Sequence, residues 1–414
     1  MTLDLHPSLD PARTLAERPL AGRAALGDDH AVRVLHVIKT IDPAGGGVPA
    51  VVACLAASQA SAGHEVSVMC HPTPEADERV DKFLESTPGA SGVRFVYTPE
   101  TTNPFGRLPQ GSDAASAIEA CDVVHIHGVW DPILAVVARE ARRASKPYVV
   151  MPHAMLDRWS MAQKALKKKI ALALVYKKML DCAAFIHALN TDEIRGMSPV
   201  GITARKEVIP NGVFAESFEN LPGPDVFRND RPELGDAPYV LFLSRLHYKK
   251  GLDILAGAFA LALKEIPNAR LVVMGPDEGG EADFREDISR LGIEDRVLIT
   301  GPVYGEARFA AVTGATCFCL PSRQEGFSIA ITEALACGTP VVITTECHFH
   351  EVAAAGAGRI TRVQAEPVAD ALIDILRNPE LARKLGARGR ELVLDRFVWP
   401  NIAEQTIRLY RDVI

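Results

Sequence analysis

The sequence predicts an α/β protein of two Rossmann-like, doubly wound domains facing a cleft. Three observations carry this. The chain has 414 residues, too many for one ordinary core and suited to two domains. Short buried-type strands alternate with apolar helices in two separate series, the mark of βαβ units and parallel sheets. Between the series, 213–238 is rich in Pro, Gly, Asp and Asn and reads as an interdomain linker.

The first series begins after a leader, 1–31, that carries Asp4, Asp10 and Glu17 and no apolar core. It reads as disordered rather than as a secretory signal. Strands follow at 32–38, 65–69, 93–97, 123–127 and 148–151, with helices at about 49–62 and 133–144. The first domain closes at 212. The second, 239–399, has strands at 239–244, 269–274, 297–300, 315–320 and 340–343, and helices at 252–264 and 329–336. Ile402, Ile407, Leu409 and Tyr410 give the last segment an amphipathic helical pattern. In such sheets ligands bind beyond the carboxyl ends of the strands, so two facing sheets place a substrate on each wall.

Composition narrows the function. Hydrophobic residues at 48% and charged residues at 23% suit a globular enzyme, and a net charge of −7 argues against a nucleic-acid binder, which needs basic surface. The eight cysteines are scattered without a CxxC pair and read as reduced core residues of a cytoplasmic protein. No apolar run approaches the roughly 20 residues of a membrane span.

The densest chemical signal lies between Pro321 and Val342. Glu325 falls in the loop after a strand, and a helix starts near Ser328. The free amides and dipole of that helix start suit a diphosphate, and Gly326 lets backbone approach it. Glu333, farther along the helix, can accept bonds from a ribose diol. Taken alone, two glutamates at this spacing are common. The second signal is Arg245 and Lys250, again just after a strand, where a bidentate guanidinium and a point charge can hold phosphate and stabilise a leaving diphosphate.

Together these segments resemble family 4 of the glycosyltransferases, the retaining family with the GT-B fold, in its bacterial surface-polysaccharide members. The resemblance runs from Val32 to the C-terminus. It rests on the Glu325/Glu333 pair, Gly338 with Pro340, Arg245 with Lys250 and Gly251, the run from Ile209 to Val213, and Gly63 to Val66. It implies that Arg245 and Lys250 hold the donor diphosphate, Glu325 the donor sugar and Glu333 the ribose. Gly326, Phe327 and Ser328 would offer amides, Gly46 and Gly47 would form the loop that approaches the sugar phosphate, and Gly275 would be the strand-end glycine near the nucleotide. His153 resembles the histidine that faces the reacting sugar, and the last helix, 400–414, is expected to cross back to the first domain.

Other features remain open between function and structure. His125 and His127 share a strand face, a spacing that could ligate metal, but no third ligand is identifiable in the sequence and the structural reading is preferred. His127 and Trp130 could line the acceptor side, and His348 and His350 could lie near the cleft. No Asp-x-Asp occurs, which agrees with a protein-only diphosphate clamp and no metal or other cofactor. The basic, apolar stretch 164–178 could rest on anionic lipid at the inner face of a membrane, or could be a buried helix with solvated lysines. The expected activity is transfer of a hexose from a UDP- or GDP-linked sugar to a saccharide or lipid-linked saccharide. Two alternatives stand beside it: a nucleotide-sugar epimerase of the same fold, and an NAD-dependent oxidoreductase, although G-x-G-x-x-G is absent.

Overall fold

The computed structural model describes residues 30–414, so the expected leader lies almost wholly outside the described residues. Residues 31–414 form one unit containing two parallel sheets.

The first sheet has seven strands: β1 (Arg33–Val37), β2 (Glu65–Cys70), β3 (Val93–Tyr97), β4 (Val123–His127), β5 (Tyr148–Met151), β6 (Phe185–Ala188) and β7 (Lys206–Val208). Their order is β3-β2-β1-β4-β5-β6-β7. The second sheet has six: β8 (Tyr239–Leu243), β9 (Arg270–Met274), β10 (Val297–Gly301), β11 (Cys317–Leu320), β12 (Val341–Thr344) and β13 (Gly358–Thr361), in the order β10-β9-β8-β11-β12-β13. Strands β4, β5, β8, β11 and β12 are buried at every position, because helices cover both faces; this is why they read as unbroken apolar runs. Each sheet reverses direction once, between β1 and β4 and between β8 and β11, and the crevice at such a reversal is where ligands bind.

Three strands escaped the sequence reading. β6 is four residues with a histidine, while β7 and β13 are short edge strands carrying charge. None has a periodicity long enough to register. The stretch 213–238, expected as the interdomain linker, is packed. It folds into short helical turns that bury Phe218, Phe227 and Leu234 in the core of the second sheet, and Arg228 ties it down by donating to the carbonyls of Gly235 and Ala237.

The crossover itself is narrower. Val213 pairs with Val398 in a parallel bridge, with Val213 N donating to Phe397 O at 2.9 Å and Trp399 N to Val213 O at 3.0 Å. A side chain on Gly212 would lie 2.8 Å from Trp399 N, so only glycine lets the two crossing segments pass this closely. Beyond it, the helix Trp399–Arg411 lies on the first domain. Its Ile402, Ile407 and Tyr410 share a core with Val34, Val51 and Leu55.

Candidate active site

The loops after β8 and β11 are stitched together. Arg323 N donates to Lys249 O at 2.7 Å, and Arg323 grips Asp253 with both terminal nitrogens. This places Lys250 beside Glu325. Lys250 Nζ donates to Glu325 Oε1 at 2.6 Å, Ser322 Oγ donates to the same oxygen at 2.6 Å, and both charged side chains are about nine-tenths buried. A buried pair of this kind is held by its mutual charge; removing one partner leaves the other uncompensated, at roughly 3–5 kcal/mol.

The other expected donor residues have their own partners. Arg245 points to Glu278 at 2.8 Å in a half-exposed pair. Glu333 accepts from Arg308 at 2.8 Å; burial raises its pKa and Arg308 works against that. The Cys54 thiol is pushed up to about 12, chiefly by burial and further by the charge of Glu333. Ser328 caps the helix Ile329–Ala336, its Oγ accepting from Ile331 N at 3.4 Å. The Phe327 ring packs against Phe349 and Phe397. Gly275 has a packing reason to be glycine: a side chain there would lie 1.9 Å from Ser244 O. Gly46 and Gly47 begin the helix Gly47–Ser61 with nothing within 4 Å of a would-be side chain, so that helix start is open.

Across the cleft, the segment after β5 bends through two consecutive left-handed residues, His153 (φ 54) and Ala154 (φ 58). Such backbone costs about 1–3 kcal/mol a residue and persists only where its surroundings enforce it. The enforcing group is Glu193, which the sequence reading missed. Its buried carboxylate accepts from Ala154 N at 2.7 Å and from Leu189 N at 2.6 Å. Burial pushes its pKa up to about 7, although the two amides favour the charged form. A sequence signal existed: Asn190 caps the helix Thr191–Met197 by accepting from Glu193 N, and a Glu three residues after a cap is a capping-box position.

The two walls touch here. Asn190 Nδ2 donates to Gly326 O at 2.6 Å, and a side chain on Gly326 would lie 2.9 Å from Ala154 Cβ. Gln324 donates to Asp157, Lys249 Nζ lies 3.4 Å over the Trp159 ring, and His350 bonds Asp192 at 2.6 Å with His348 3.6 Å away. The structure therefore brings Ala154, the residue after His153, up against Gly326.

His127 joins His153, its Nδ1 lying 3.2 Å from His153 Nε2. Trp130 goes elsewhere: its carbonyl accepts from Tyr176 at 2.7 Å and its ring lies under Lys168, so it anchors the basic helical stretch. The fold also supplies the third histidine that spacing could not show. His36 of β1 lies in register with His125 of β4, and His36, His125 and His127 offer nitrogens within 4.8 Å of one another. The group is fully buried and contains no acid to balance a divalent cation, and His36 and His127 spend a nitrogen each on one another at 2.9 Å.

Two Rossmann-like domains with a paired cation and acid on one wall and histidines on the other define the GT-B class of glycosyltransferase. Comparison with known proteins agrees. Residues 225–392 match the family model "Glycosyl transferases group 1" and residues 46–212 match "Glycosyl transferase 4-like domain". The chain is 29% identical to the phosphatidyl-myo-inositol mannosyltransferase of Mycolicibacterium smegmatis, over 89% of this chain and 90% of that protein. It is 24% identical to the GDP-mannose:cellobiosyl-diphosphopolyprenol alpha-mannosyltransferase of Xanthomonas oryzae, over 92% and 97%. The crystal structure of Anabaena HepE in complex with UDP and glucose superimposes with a TM-score of 0.70 at 20% identity, covering 91% of this chain and 98% of that one. The chain belongs to the family 4 glycosyltransferases of GT-B fold.

Proposed function

We propose that this glycosyltransferase moves mannose from GDP-mannose, with retention at the anomeric carbon, to a lipid-linked acceptor at the inner face of a membrane. The observation that carries the reading is the buried Lys250–Glu325 pair opposite the enforced His153–Ala154 turn. Lys250 and Arg245 hold the diphosphate, Glu325 the donor hydroxyls and Glu333 the ribose, with no metal or other cofactor. The C1–O bond to phosphate breaks with its electrons going to the diphosphate. The acceptor oxygen bonds C1 on the same face, and its proton passes to a departing phosphate oxygen. Fixed cations stabilise the charge that develops there. The donor is chosen because the relatives described above include mannosyltransferases, one of them named for GDP-mannose and a diphosphopolyprenol acceptor.

The membrane contact is supported by what the 164–178 stretch exposes. Leu166, Ile170 and Leu174, spaced by four, are 74%, 51% and 69% exposed, with Lys167 and Lys169 beside them. An apolar stripe flanked by lysines suits an anionic lipid surface, whereas a buried helix would hide it. No helix among the described residues is long and apolar enough to cross a membrane. The test is a donor screen of GDP-mannose, UDP-glucose and ADP-glucose with a polyprenyl-diphosphate saccharide, the product anomer being read by NMR. GDP-mannose should be used with its α-configuration kept; an inverted product or a preference for another donor sinks the reading. Leu166→Ser with Ile170→Ser and Leu174→Ser should abolish sedimentation with phosphatidylglycerol vesicles.

A further inference from the structure

Behind His153 runs a single file of buried polar groups. His153 Nε2 meets His127 Nδ1 at 3.2 Å, His127 Nε2 meets His36 Nδ1 at 2.9 Å, and His36 Nε2 meets Gln59 Oε1 at 2.8 Å. Gln59 and His36 are fully buried and His127 is 2% exposed. Burial depresses all three histidines, His36 to about 4, His153 to about 3 and His127 well below its ordinary value, so each ring is neutral near pH 7 and carries one proton.

A carbonyl oxygen only accepts, and a neutral imidazole has one donor and one acceptor nitrogen. With Gln59 Oε1 at the end of the file, His36 must donate from Nε2 and accept at Nδ1. His127 must then donate from Nε2 and accept at Nδ1. His153 must in turn donate from Nε2, which leaves its Nδ1 unprotonated. Each link is forced by the one behind it.

We propose that Gln59 is a positioning residue for glycosyl transfer: acting through His36 and His127, its side-chain oxygen fixes His153 as the Nε2–H tautomer, so that Nδ1 presents a lone pair to a sugar hydroxyl. This rests on the proposed glycosyl transfer and on the resemblance by which His153 faces the reacting sugar. It also names a substrate requirement. The sugar position facing His153 must be a hydroxyl that donates; an oxygen that only accepts, as in a methyl ether, finds no partner. Gln59 sits near the end of the helix Gly47–Ser61, whose first turn is the open glycine loop, so one helix serves both the expected phosphate approach and the histidine file.

The direct test is the tautomeric state in the wild-type chain, read by two-bond 15N–1H correlation on protein labelled at histidine. His36, His127 and His153 should all carry the proton on Nε2. A proton on Nδ1 of any of them overturns the inference, as it shows the amide inverted and every link reversed. One equivalent of zinc or copper in the purified chain also overturns it, since a cation among His36, His125 and His127 breaks the His36–His127 link. Gln59→Leu should turn His153 into a tautomer mixture and lower kcat for GDP release from GDP-mannose on the order of 10- to 100-fold, with KM little changed. An unchanged His153 spectrum in Gln59→Leu refutes the positioning role; should that variant not fold, the wild-type spectrum still decides. His153→Ala separates the two readings: wild-type turnover in it removes the role assigned to His153, whatever the spectra show.

Discussion

The carboxyl edges of the two sheets are built on one topology and carry opposite chemistry. Each has a reversal point, β1/β4 in the first sheet and β8/β11 in the second. At the first, the side chains are neutral histidines that hydrogen-bond one another in the absence of counter-ions. At the second they are charges held as ion pairs: Lys250–Glu325, Arg245–Glu278 and Arg308–Glu333. Neutral imidazoles recognise hydroxyls by direction; paired cations recognise phosphate by charge. On the proposed function, the same frame makes one edge for sugar hydroxyls and another for a leaving diphosphate.

The charged edge should break first and hardest. On the proposed function, Lys250→Met removes a cation that holds the diphosphate, and it leaves Glu325 buried with Ser322 donating to it. Donor turnover should fall about 10²- to 10³-fold, with a lower melting temperature. GDP release and a thermal melt on the same sample check both effects; activity above a tenth of wild type would falsify the clamp.

The neutral edge should break with acid. His36, His125, His127, His153 and His187 are all depressed by burial, His36 and His187 to about 4. Their folded values lie below the unfolded value of about 6.5. The unfolded chain thus binds protons that the folded chain refuses. The stability involved is fully present above pH 6.5 and is lost as pH falls toward 4, at about 1.4 kcal/mol per pH unit for each excluded proton. Urea unfolding at pH 7.5, 6 and 5 should show this slope. A flat profile contradicts the neutral edge.

Glu193 sharpens the contrast, because it is an acid serving the neutral side. Its folded pKa, about 7, lies above its ordinary 4.5, so its contribution grows as pH falls through 7 and opposes the histidines. Glu193→Gln keeps one accepting oxygen for two amides and should destabilise by about 1–3 kcal/mol above pH 7. It should also steepen the acid slope between pH 7 and 4.5, since the opposing group is gone. A shallower slope in the same urea series runs against this assignment.

How much of this was legible depended on chain distance. Both-face burial made β4, β5, β8, β11 and β12 readable as apolar runs, and the placing of Glu325 and Lys250 just after strands put them at the correct edge. Their contact was not readable, as 75 residues separate them; only the rule that loops flanking a reversal meet could have paired them. His36 was invisible as a neighbour of His125 because strand register, not spacing, aligns them. In 213–238, Pro, Gly and Asp marked the linker by composition, but composition did not show that Phe218, Phe227 and Leu234 pack into the second core. Glu193 hid because a capping position explains a glutamate without requiring its carboxylate to hold a strained turn on another loop.

The smallest expected effect lies within the charged edge and has the opposite sign. Lys250 and Glu325 are both buried, so their pairing is part of the fold, and a diphosphate must join it rather than replace it. Arg245 and Glu278 are 51% and 41% exposed, and an exposed pair is worth only about 0.2–1 kcal/mol. On the proposed function, a donor diphosphate takes Arg245 from Glu278 and forms the stronger bidentate contact. Glu278→Ala removes the competitor. It should lower KM for the donor by up to about fivefold, with kcat unchanged, because that exchange precedes the chemistry. Raising salt should shrink the difference, since exposed charges are screened. A raised KM in Glu278→Ala means instead that this acid touches the donor itself, and the distinction drawn between a permanent pair and an exchangeable one would then fail.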